Sequence, residues 1–189
     1  MVEKVKQLES MTEKSDQVQT LRLATSSDSA SLASLHFLSH TKSFRPYASK
    51  DWTNSRELMN YERDWRIRCE DTQFHTWIIE LQTRIAGMVS FGPGPAYKAE
   101  EDFGEVSYFE GMHVHPDFMR KGLGRILLRK AKQDALNKNY SVVYLHVMEA
   151  NAPAKDLFKS EGFLPVERLP TGDEGVPIIL CRCDLKLGS

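Results

Sequence analysis

The sequence has few cysteines, and their number is odd. Three cysteines in 189 residues make no disulfide framework, so the fold must rest on its hydrophobic core. Cys181 and Cys183 stand two apart in an apolar run, without a second Cys or His pair at the spacing of a zinc site. We therefore interpret them as strand residues that face the same way.

A long apolar run and an excess of one charge are also lacking. No apolar stretch approaches the ~18 residues that a membrane span requires. The 25 Lys and Arg residues nearly balance the 26 Asp and Glu residues, which leaves a net charge of −1. Proteins that bind nucleic acid or membrane surfaces carry a positive excess, so neither partner is expected.

Residues 1–18 lack the apolar segment of a secretory signal and contain neither Pro nor Gly. This polar, charged stretch predicts a flexible N-terminal tail and, by default, a cytoplasmic protein. The chain as a whole is 41% hydrophobic and 27% charged, as in ordinary soluble domains. A chain of this length buries roughly 70% of its surface on folding, so we predict one domain over residues 19–189.

Strand-like and helix-like patterns alternate along this domain, which predicts an α/β (α+β) fold. Predicted strands cover residues 20–24, 74–80, 84–91, 104–114, 142–147, 163–166 and 177–187. Predicted helices cover residues 30–38, 122–138 and 151–161, and a further helix is capped by Asn54 and reaches residue 68. Residues 41–52 are expected to form a loop, and Gln82 and Thr83 a short turn.

The strongest chemical signal lies in residues 114–125, which read VHPDFMRKGLGR. A strand ends, a turn follows, and Gly122 and Gly124 open a helix, so unpaired N–H groups and the helix dipole meet at one point. Basic side chains add positive charge there: Arg120, Lys121 and Arg125. The segment predicts a phosphate or pyrophosphate site. It fits neither a Rossmann fingerprint, because position 127 is Leu, nor a Walker A loop, which needs Gly-Lys before Ser or Thr.

A second segment, residues 151–163, reads NAPAKDLFKSEGF and follows at the distance of one helix and one strand. Together the two segments resemble the acetyl-CoA motifs of the GNAT (Gcn5-related) N-acetyltransferase superfamily. The resemblance implies the GNAT fold, a central mixed, twisted sheet of six to seven strands flanked by about four helices. It also implies acetyl-CoA as co-substrate and no metal.

The same resemblance implies which residues contact acetyl-CoA. The main chain of His113 and Val114, with N–H groups near Met112, would hold the thioester arm and polarise its carbonyl. The other expected contacts surround the pyrophosphate or open the next helix: Arg120, Lys121, Gly122, Leu123, Gly124, Arg125 and Asn151.

Amine acetylation needs a base, because only a deprotonated amine attacks a thioester. Alternation on the strand before the turn predicts that four side chains share one face: Tyr108, Glu110, Met112 and Val114. The resemblance matches Tyr108 and Glu110 to positions where relatives carry a catalytic Glu or His, and Glu110 is the first candidate. Gly111 is expected to mark a β-bulge that separates this strand from the next.

Two positions depart from the family pattern. Met119 stands where relatives carry Gln or Arg, and Phe158 replaces the Tyr that many relatives use as general acid. The reaction can proceed without this acid, because a thiol has a pKa of about 8.5 and coenzyme A can leave as a thiolate.

The predicted function is direct acetyl transfer from acetyl-CoA to a primary amine of a small molecule or peptide. Two alternatives stay open: a non-catalytic acyl-CoA-binding regulatory module, which Phe158 favours, and an acetyltransferase of aminoacyl-tRNA, which the near-neutral charge disfavours. Residues 41–52, the helix predicted to begin at Asn54 and residues 170–176 are expected to surround the amine that accepts the acetyl group. A homodimer stays open.

The histidines do not predict a metal site. His113 and His115 alternate, but no other ligand stands at metal-binding spacing from them. His146 is interpreted as a satisfied core or groove residue rather than as a base.

Overall fold

A computed structural model describes residues 19–95, 97 and 105–185 of the chain. The predicted N-terminal tail, residues 1–18, lies outside the described residues. The described part contains seven strands and five α-helices, in the following order: β1 (Gln19–Leu23), α1 (Ser29–Leu38), α2 (Lys50–Asn54), α3 (Leu58–Glu70), β2 (His75–Leu81), β3 (Arg84–Pro93), β4 (Val106–Val114), α4 (Leu123–Asn137), β5 (Val142–Met148), α5 (Ala152–Ser160), β6 (Leu164–Leu169) and β7 (Ile178–Asp184).

All seven strands belong to one mixed sheet, in the order β1-β2-β3-β4-β5-β7-β6. Neighbouring strands are antiparallel except β4 and β5, which run parallel and are connected through α4. Parallel neighbours need such a crossover. The mixed seven-strand sheet confirms the predicted fold class.

The helices cover both faces of the sheet. On one face, α4 and α5 enclose the larger core, which includes Leu127, Phe109 and Phe163. On the other face, α1 and α3 enclose a second core around Leu32, Trp65 and Met88. Cys181 and Cys183 both face the larger core, as their spacing predicted.

The segment before α3 differs from the prediction. Asn54 ends α2 instead of capping the longer helix, and α3 begins four residues later, at Leu58. The expected loop at residues 41–52 also holds helical turns, Ser39–Ser43 and the start of α2. The side chain of Ser49 caps α2 by accepting a hydrogen bond from Trp52 N at 3.2 Å, a local stabilisation that hydrophobic periodicity does not register.

A β-bulge in β4 changes which side chains share a face. Ser90 of β3 pairs with Gly111 and Phe91 pairs with Phe109, so Glu110 is the extra residue. The bulge therefore lies at Glu110, one residue before the predicted Gly111.

The bulge corrects the predicted set of four side chains. Tyr108 and Glu110 lie on the face away from α4, whereas Met112 and Val114 pack against the core that α4 covers. The prediction that all four share a face was wrong, because one inserted residue reverses the alternation that follows it.

Candidate active site

The centre of the sheet opens between its two parallel strands. β4 and β5 pair only over three residues, from Val106 with Val142 to Tyr108 with Tyr144. Beyond this point each strand keeps its outer partner, β3 or β7, but no ladder joins β4 to β5. Backbone N–H and C=O groups along the facing edges are therefore available to an extended ligand.

The N-terminus of α4 follows β4 after a short turn. Gly122 adopts φ 80° immediately before the helix, and Arg120 also has a positive φ, 62°. Space for a side chain at Gly122 is open, because no atom of the described residues lies within 4 Å of a Cβ placed there. Arg120 and Lys121 are exposed beside the helix start. The first N–H groups of α4 lack intrahelical partners, so this turn can receive an anion.

Two predicted cofactor residues at this turn have other partners. Arg125 forms an ion pair with Glu161 at 2.9 Å and donates to Ser160 Oγ at 3.0 Å. A Cβ at Gly124 would lie 3.3 Å from Leu157 Cδ2, so this glycine allows α4 to pack closely against α5. After the C-terminal end of β5, the side chain of Asn151 caps α5 by accepting from Ala154 N at 3.3 Å. Arg125 is exposed as well, but among the described residues only Arg120 and Lys121 of the three predicted cations form no ion pair with a carboxylate.

A pocket of about 290 Å³ lies on the opposite face of the sheet, against α1 and α3. We call it the α1–α3 pocket. Its lining combines histidine, aromatic and charged side chains with one glycine: His36, His40, Ser55, Arg56, Glu57, Asn60, Tyr61, Asp64, Trp65, Arg68, Ser90, Glu110 and Gly111.

Glu110 projects from the β4 bulge into this pocket and forms an ion pair with Arg68 of α3. About a quarter of each side chain is exposed, 28% for Glu110 and 29% for Arg68. Arg68 also lies over the rings of Phe74 and Trp65. The carboxylate is accessible and held in place, as a base that meets an incoming ligand must be.

Tyr108, the second predicted catalytic residue, lies where β4 and β5 separate. Its hydroxyl forms a hydrogen bond with His146 Nδ1 at 2.6 Å, which places His146 in the groove. Burial is the main cause that raises the pKa of Tyr108. The hydroxyl therefore keeps its proton at neutral pH and cannot accept one from an amine.

Phe158 of α5 is buried, with 8% exposed, and its ring centroid lies 5.9 Å from that of Phe163. It belongs to the larger core together with Leu145 and Val147 of β5. Phe158 therefore packs α5 against the sheet.

Three histidines form a cluster that the sequence interpretation missed. Ring centroids of His36 lie 4.2 Å from those of both His40 and His113. Nε2 atoms of His36 and His40 are 3.0 Å apart, and His113 Nδ1 contacts Ser39 Oγ at 2.9 Å. The four-residue spacing of His36 and His40 on a helix was an available signal. Their proximity to His113 depends on how α1 packs on β4.

All three rings are neutral at pH 7. Burial, with Arg68 as a smaller cause, lowers the pKa of His36 to about 3. Burial, with His36 and Arg56 contributing, lowers the pKa of His40 to about 2. Burial also places the pKa of His113 well below its usual value.

Nitrogen atoms of these histidines lie within 4.8 Å of one another, close enough to test as metal ligands. The hydrogen bonds and charges around the three histidines do not fit a metal site. Trp65 Nε1 donates to His36 Nδ1 at 3.1 Å, which leaves the proton of neutral His36 on Nε2, the atom that faces His40. Ligating histidines instead donate their outer N–H to an acceptor. The guanidinium groups of Arg56 and Arg68 also disfavour a cation here.

The segments that were predicted to surround the amine substrate contact one another. Ser49 N, just before α2, donates to Glu174 O at 3.0 Å, so the loop before β7 lies against α2. Trp52 of α2 packs against His40, with ring centroids 4.7 Å apart. Arg56 and Glu57 follow α2 and line the α1–α3 pocket directly.

No helix in the described part of the chain is long and apolar enough to cross a membrane.

Comparisons with known proteins agree with this architecture. Residues 37–163 match the family model described as the acetyltransferase (GNAT) family. A segment of 59 residues is 34% identical to thialysine N-epsilon-acetyltransferase of Bos taurus, and the match spans 31% of this chain and about a third (35%) of that protein's length.

Solved structures resemble the whole fold at low sequence identity. PaiA N-acetyltransferase from Thermoplasma acidophilum, in complex with coenzyme A, superposes with a TM-score of 0.71 at 13% identity, covering 88% of this chain and 98% of that one. Ribosomal-protein-alanine N-acetyltransferase from Brucella melitensis superposes with a TM-score of 0.69 at 21% identity, covering 88% and 99%.

Proposed function

The chain belongs to the acetyltransferase (GNAT) family, and from this premise we propose that it moves an acetyl group from acetyl-CoA to a primary amine of a small molecule or peptide. The observation that carries the proposal is the position of Glu110. This carboxylate lies in the α1–α3 pocket, on the strand that borders the opening between β4 and β5. One strand thus connects a site for the amine with a site for the thioester.

Acetyl-CoA fits the opening as a second substrate. Its arm contains amide groups, which match the free backbone edges of β4 and β5, including those of Met112 and Val114. The main chain of His113, also a predicted contact, faces β3 instead, since His115 N two residues later donates to Ala86 O. The pyrophosphate would meet the N–H groups of Gly122, Leu123 and Gly124 and the exposed side chains of Arg120 and Lys121. Arg125 and Asn151 contribute less directly, because their side chains hold α5.

Glu110 takes the proton that an ammonium must lose before it can attack. The amine nitrogen then forms a bond to the thioester carbonyl carbon, and the carbon–sulfur bond breaks. Coenzyme A leaves as a thiolate, which takes up the second proton that the attacking nitrogen loses, directly or through water, and Glu110 returns the first proton to solvent. Binding both substrates side by side supplies the proximity that direct transfer needs.

The competing function is a non-catalytic acyl-CoA-binding module. Phe158 favours it, because many relatives carry at this position a Tyr that acts as general acid, whereas the buried ring of Phe158 has no proton to donate. The accessible carboxylate of Glu110 favours the enzyme. Cytoplasmic location and a homodimer stay predictions.

The proposed function is tested by thiol release from acetyl-CoA with a panel of primary amines, and by mass spectrometry of the product. We expect thiol release that depends on the amine, with one acetyl group added to it. Binding of acetyl-CoA in calorimetry without turnover of any amine would instead support the binding module.

A further inference from the structure

Trp65 sets the proton positions of the histidines beside the α1–α3 pocket. An indole N–H is only a donor, and Trp65 Nε1 lies 3.1 Å from His36 Nδ1. Because the pKa of His36 is lowered to about 3, its ring is neutral at pH 7 and carries a single N–H. That hydrogen must lie on Nε2.

The same reasoning continues to His40 and Tyr61. Nε2 of His36 donates to Nε2 of His40, 3.0 Å away. His40 is also neutral, so its hydrogen lies on Nδ1, which contacts the Tyr61 hydroxyl oxygen at 2.8 Å. Hydrogen bonds therefore run in one direction, from Trp65 through both histidines to Tyr61.

This direction leaves Tyr61 as a donor. Its oxygen accepts from neutral His40. Of the two charged groups near it, Arg56 has only donors and Asp64 forms an ion pair with Arg63. The hydroxyl's own hydrogen has no acceptor among the residues that the structure describes, and Tyr61 lines the α1–α3 pocket. Burial raises the pKa of Tyr61, so the hydroxyl keeps this hydrogen at neutral pH.

Two half-buried guanidinium groups line the same pocket. Arg56 is fixed by Nε, which donates to Trp52 O at 3.0 Å, and by stacking 4.6 Å above the Trp52 ring. Arg68 is paired with Glu110. Two other acids of the lining, Glu57 and Asp64, are exposed to solvent. The protected part of the wall thus presents O–H and N–H donors beside a single carboxylate.

We propose that Tyr61, Arg56 and Arg68 select an acceptor amine that also carries a carboxylate, as an amino acid does. The inference rests on the proposed amine acetylation and specifies its substrate class. Carboxylate oxygens accept charge-assisted hydrogen bonds from such donors, and the ammonium of the same molecule is left to Glu110. A polyamine or a simple alkylamine offers only donors at neutral pH and leaves this wall unpaired.

Matched amines test the proposal by steady-state thiol release. Each set contains an amino acid, its amide and the amine that lacks the carboxyl group: alanine, alaninamide and ethylamine, and lysine, lysinamide and 1,5-diaminopentane. We expect kcat/KM to be at least about tenfold higher for the free carboxylate in either set. Equal or higher values for the amides or the decarboxylated amines would overturn the proposal. Turnover of no amine would instead contradict the proposed function itself.

Tyr61→Phe removes only the hydroxyl. We expect it to lower kcat/KM for the preferred amino acid about tenfold, mainly through KM, and to leave the decarboxylated amine unchanged (a tenfold change corresponds to about 1.4 kcal/mol). Tyr140→Phe, in the loop before β5 and outside the pocket lining, is the matched control and should change neither value. An equal loss for both amines in Tyr61→Phe would mean a structural role and would overturn the proposal.

The tautomers can be measured without any substrate. Long-range ¹H–¹⁵N spectra should show His36 protonated at Nε2 and His40 at Nδ1. Trp65→Phe should permit the other tautomer of His36 and reduce the preference for the carboxylate, with kcat for the decarboxylated amine retained. Protonation of His40 at Nε2 in the wild-type protein would contradict the donor role of Tyr61. A spectrum that changes on addition of Zn²⁺ alone would show a metal site in its place.

Discussion

At the scale of single residues, Glu110 has the central part in the proposed reaction. Its carboxylate points toward α3 and away from α4, on the same face as Tyr108, and the bulge turns the side chains that follow, Met112 and Val114, to the other face. Sequence alone identified Glu110 and Tyr108 through the family resemblance. It did not reveal the Arg68 ion pair or the hydrogen bond from Tyr108 to His146, because both depend on packing between distant segments.

Glu110→Gln should lower kcat by about 10²–10⁴, the usual range for loss of a general base, because the amide cannot accept the amine proton. Steady-state kinetics with saturating acetyl-CoA measure this. The matched control is Glu105→Gln, an exposed acid just before β4 that contacts Ser141. Full kcat in Glu110→Gln would mean that a group other than Glu110 accepts the proton of the amine.

Phe158→Tyr tests whether the chain lacks an essential acid. Phe158 is buried against Phe163, and the thiolate needs little help to leave, so we expect kcat to change by less than about tenfold. An increase of about a hundredfold or more would show that the natural protein lacks the acid and would favour the binding module.

At the scale of elements, strands and helices with strong periodicity were predicted closely. The helix expected over residues 122–138 is Leu123–Asn137, and the strand expected over residues 142–147 is Val142–Met148. Short polar elements were not predicted: α2 and the turn Ser39–Ser43 have too few residues for a hydrophobic period. The bulge position was missed by one residue, because it is set by the register with β3.

The N-terminus of α4 should bind the pyrophosphate. Lys121→Glu places a negative charge at the exposed helix start, and we expect the Kd for acetyl-CoA to rise about tenfold. Lys138→Glu, just after the end of α4, makes the same change in net charge and should leave the Kd unchanged. If calorimetry shows that both variants bind acetyl-CoA like the wild type, the pyrophosphate does not bind at the N-terminus of α4.

The connection from β1 to α1 is stabilised by a buried charge. Asp28 accepts two bonds from Arg22, each 2.8 Å long, and one from Thr25 N at 2.7 Å, and the Arg22 hydrogen bonds are the main cause that lowers its pKa to about 2. Asp28→Asn should lower the free energy of unfolding at pH 7 by about 2 kcal/mol.

Urea denaturation measures this loss. Asp64→Asn, which breaks the exposed pair with Arg63, is the control and should cost less than about 1 kcal/mol. Equal losses in the two variants would show that burial of Asp28 contributes nothing.

At the scale of the whole molecule, three neutral histidines should make stability depend on pH. In the unfolded chain His36, His40 and His113 gain protons below a pKa of about 6.5, whereas in the folded protein they remain neutral. Because the unfolded state then binds more protons, the free energy of unfolding falls as pH falls. Each histidine lowers the free energy of unfolding by up to about 1.4 kcal/mol per pH unit, and the three together by up to about 4 kcal/mol per pH unit.

Urea denaturation at pH 7, 6 and 5 checks this slope. His40→Gln should reduce it by about a third, since one of three equivalent contributions is removed. A free energy of unfolding that stays constant from pH 7 to pH 5 would contradict the neutral, buried cluster.

In the proposed reaction the acetyl group passes directly from acetyl-CoA to an amine held beside Glu110. The initial-velocity pattern tests it most directly, with acetyl-CoA varied at several fixed concentrations of the preferred amine. Direct transfer requires both substrates to be bound together and predicts intersecting lines in double-reciprocal plots. Parallel lines, with acetylated protein detected by mass spectrometry in the absence of amine, would show a covalent intermediate and contradict the account.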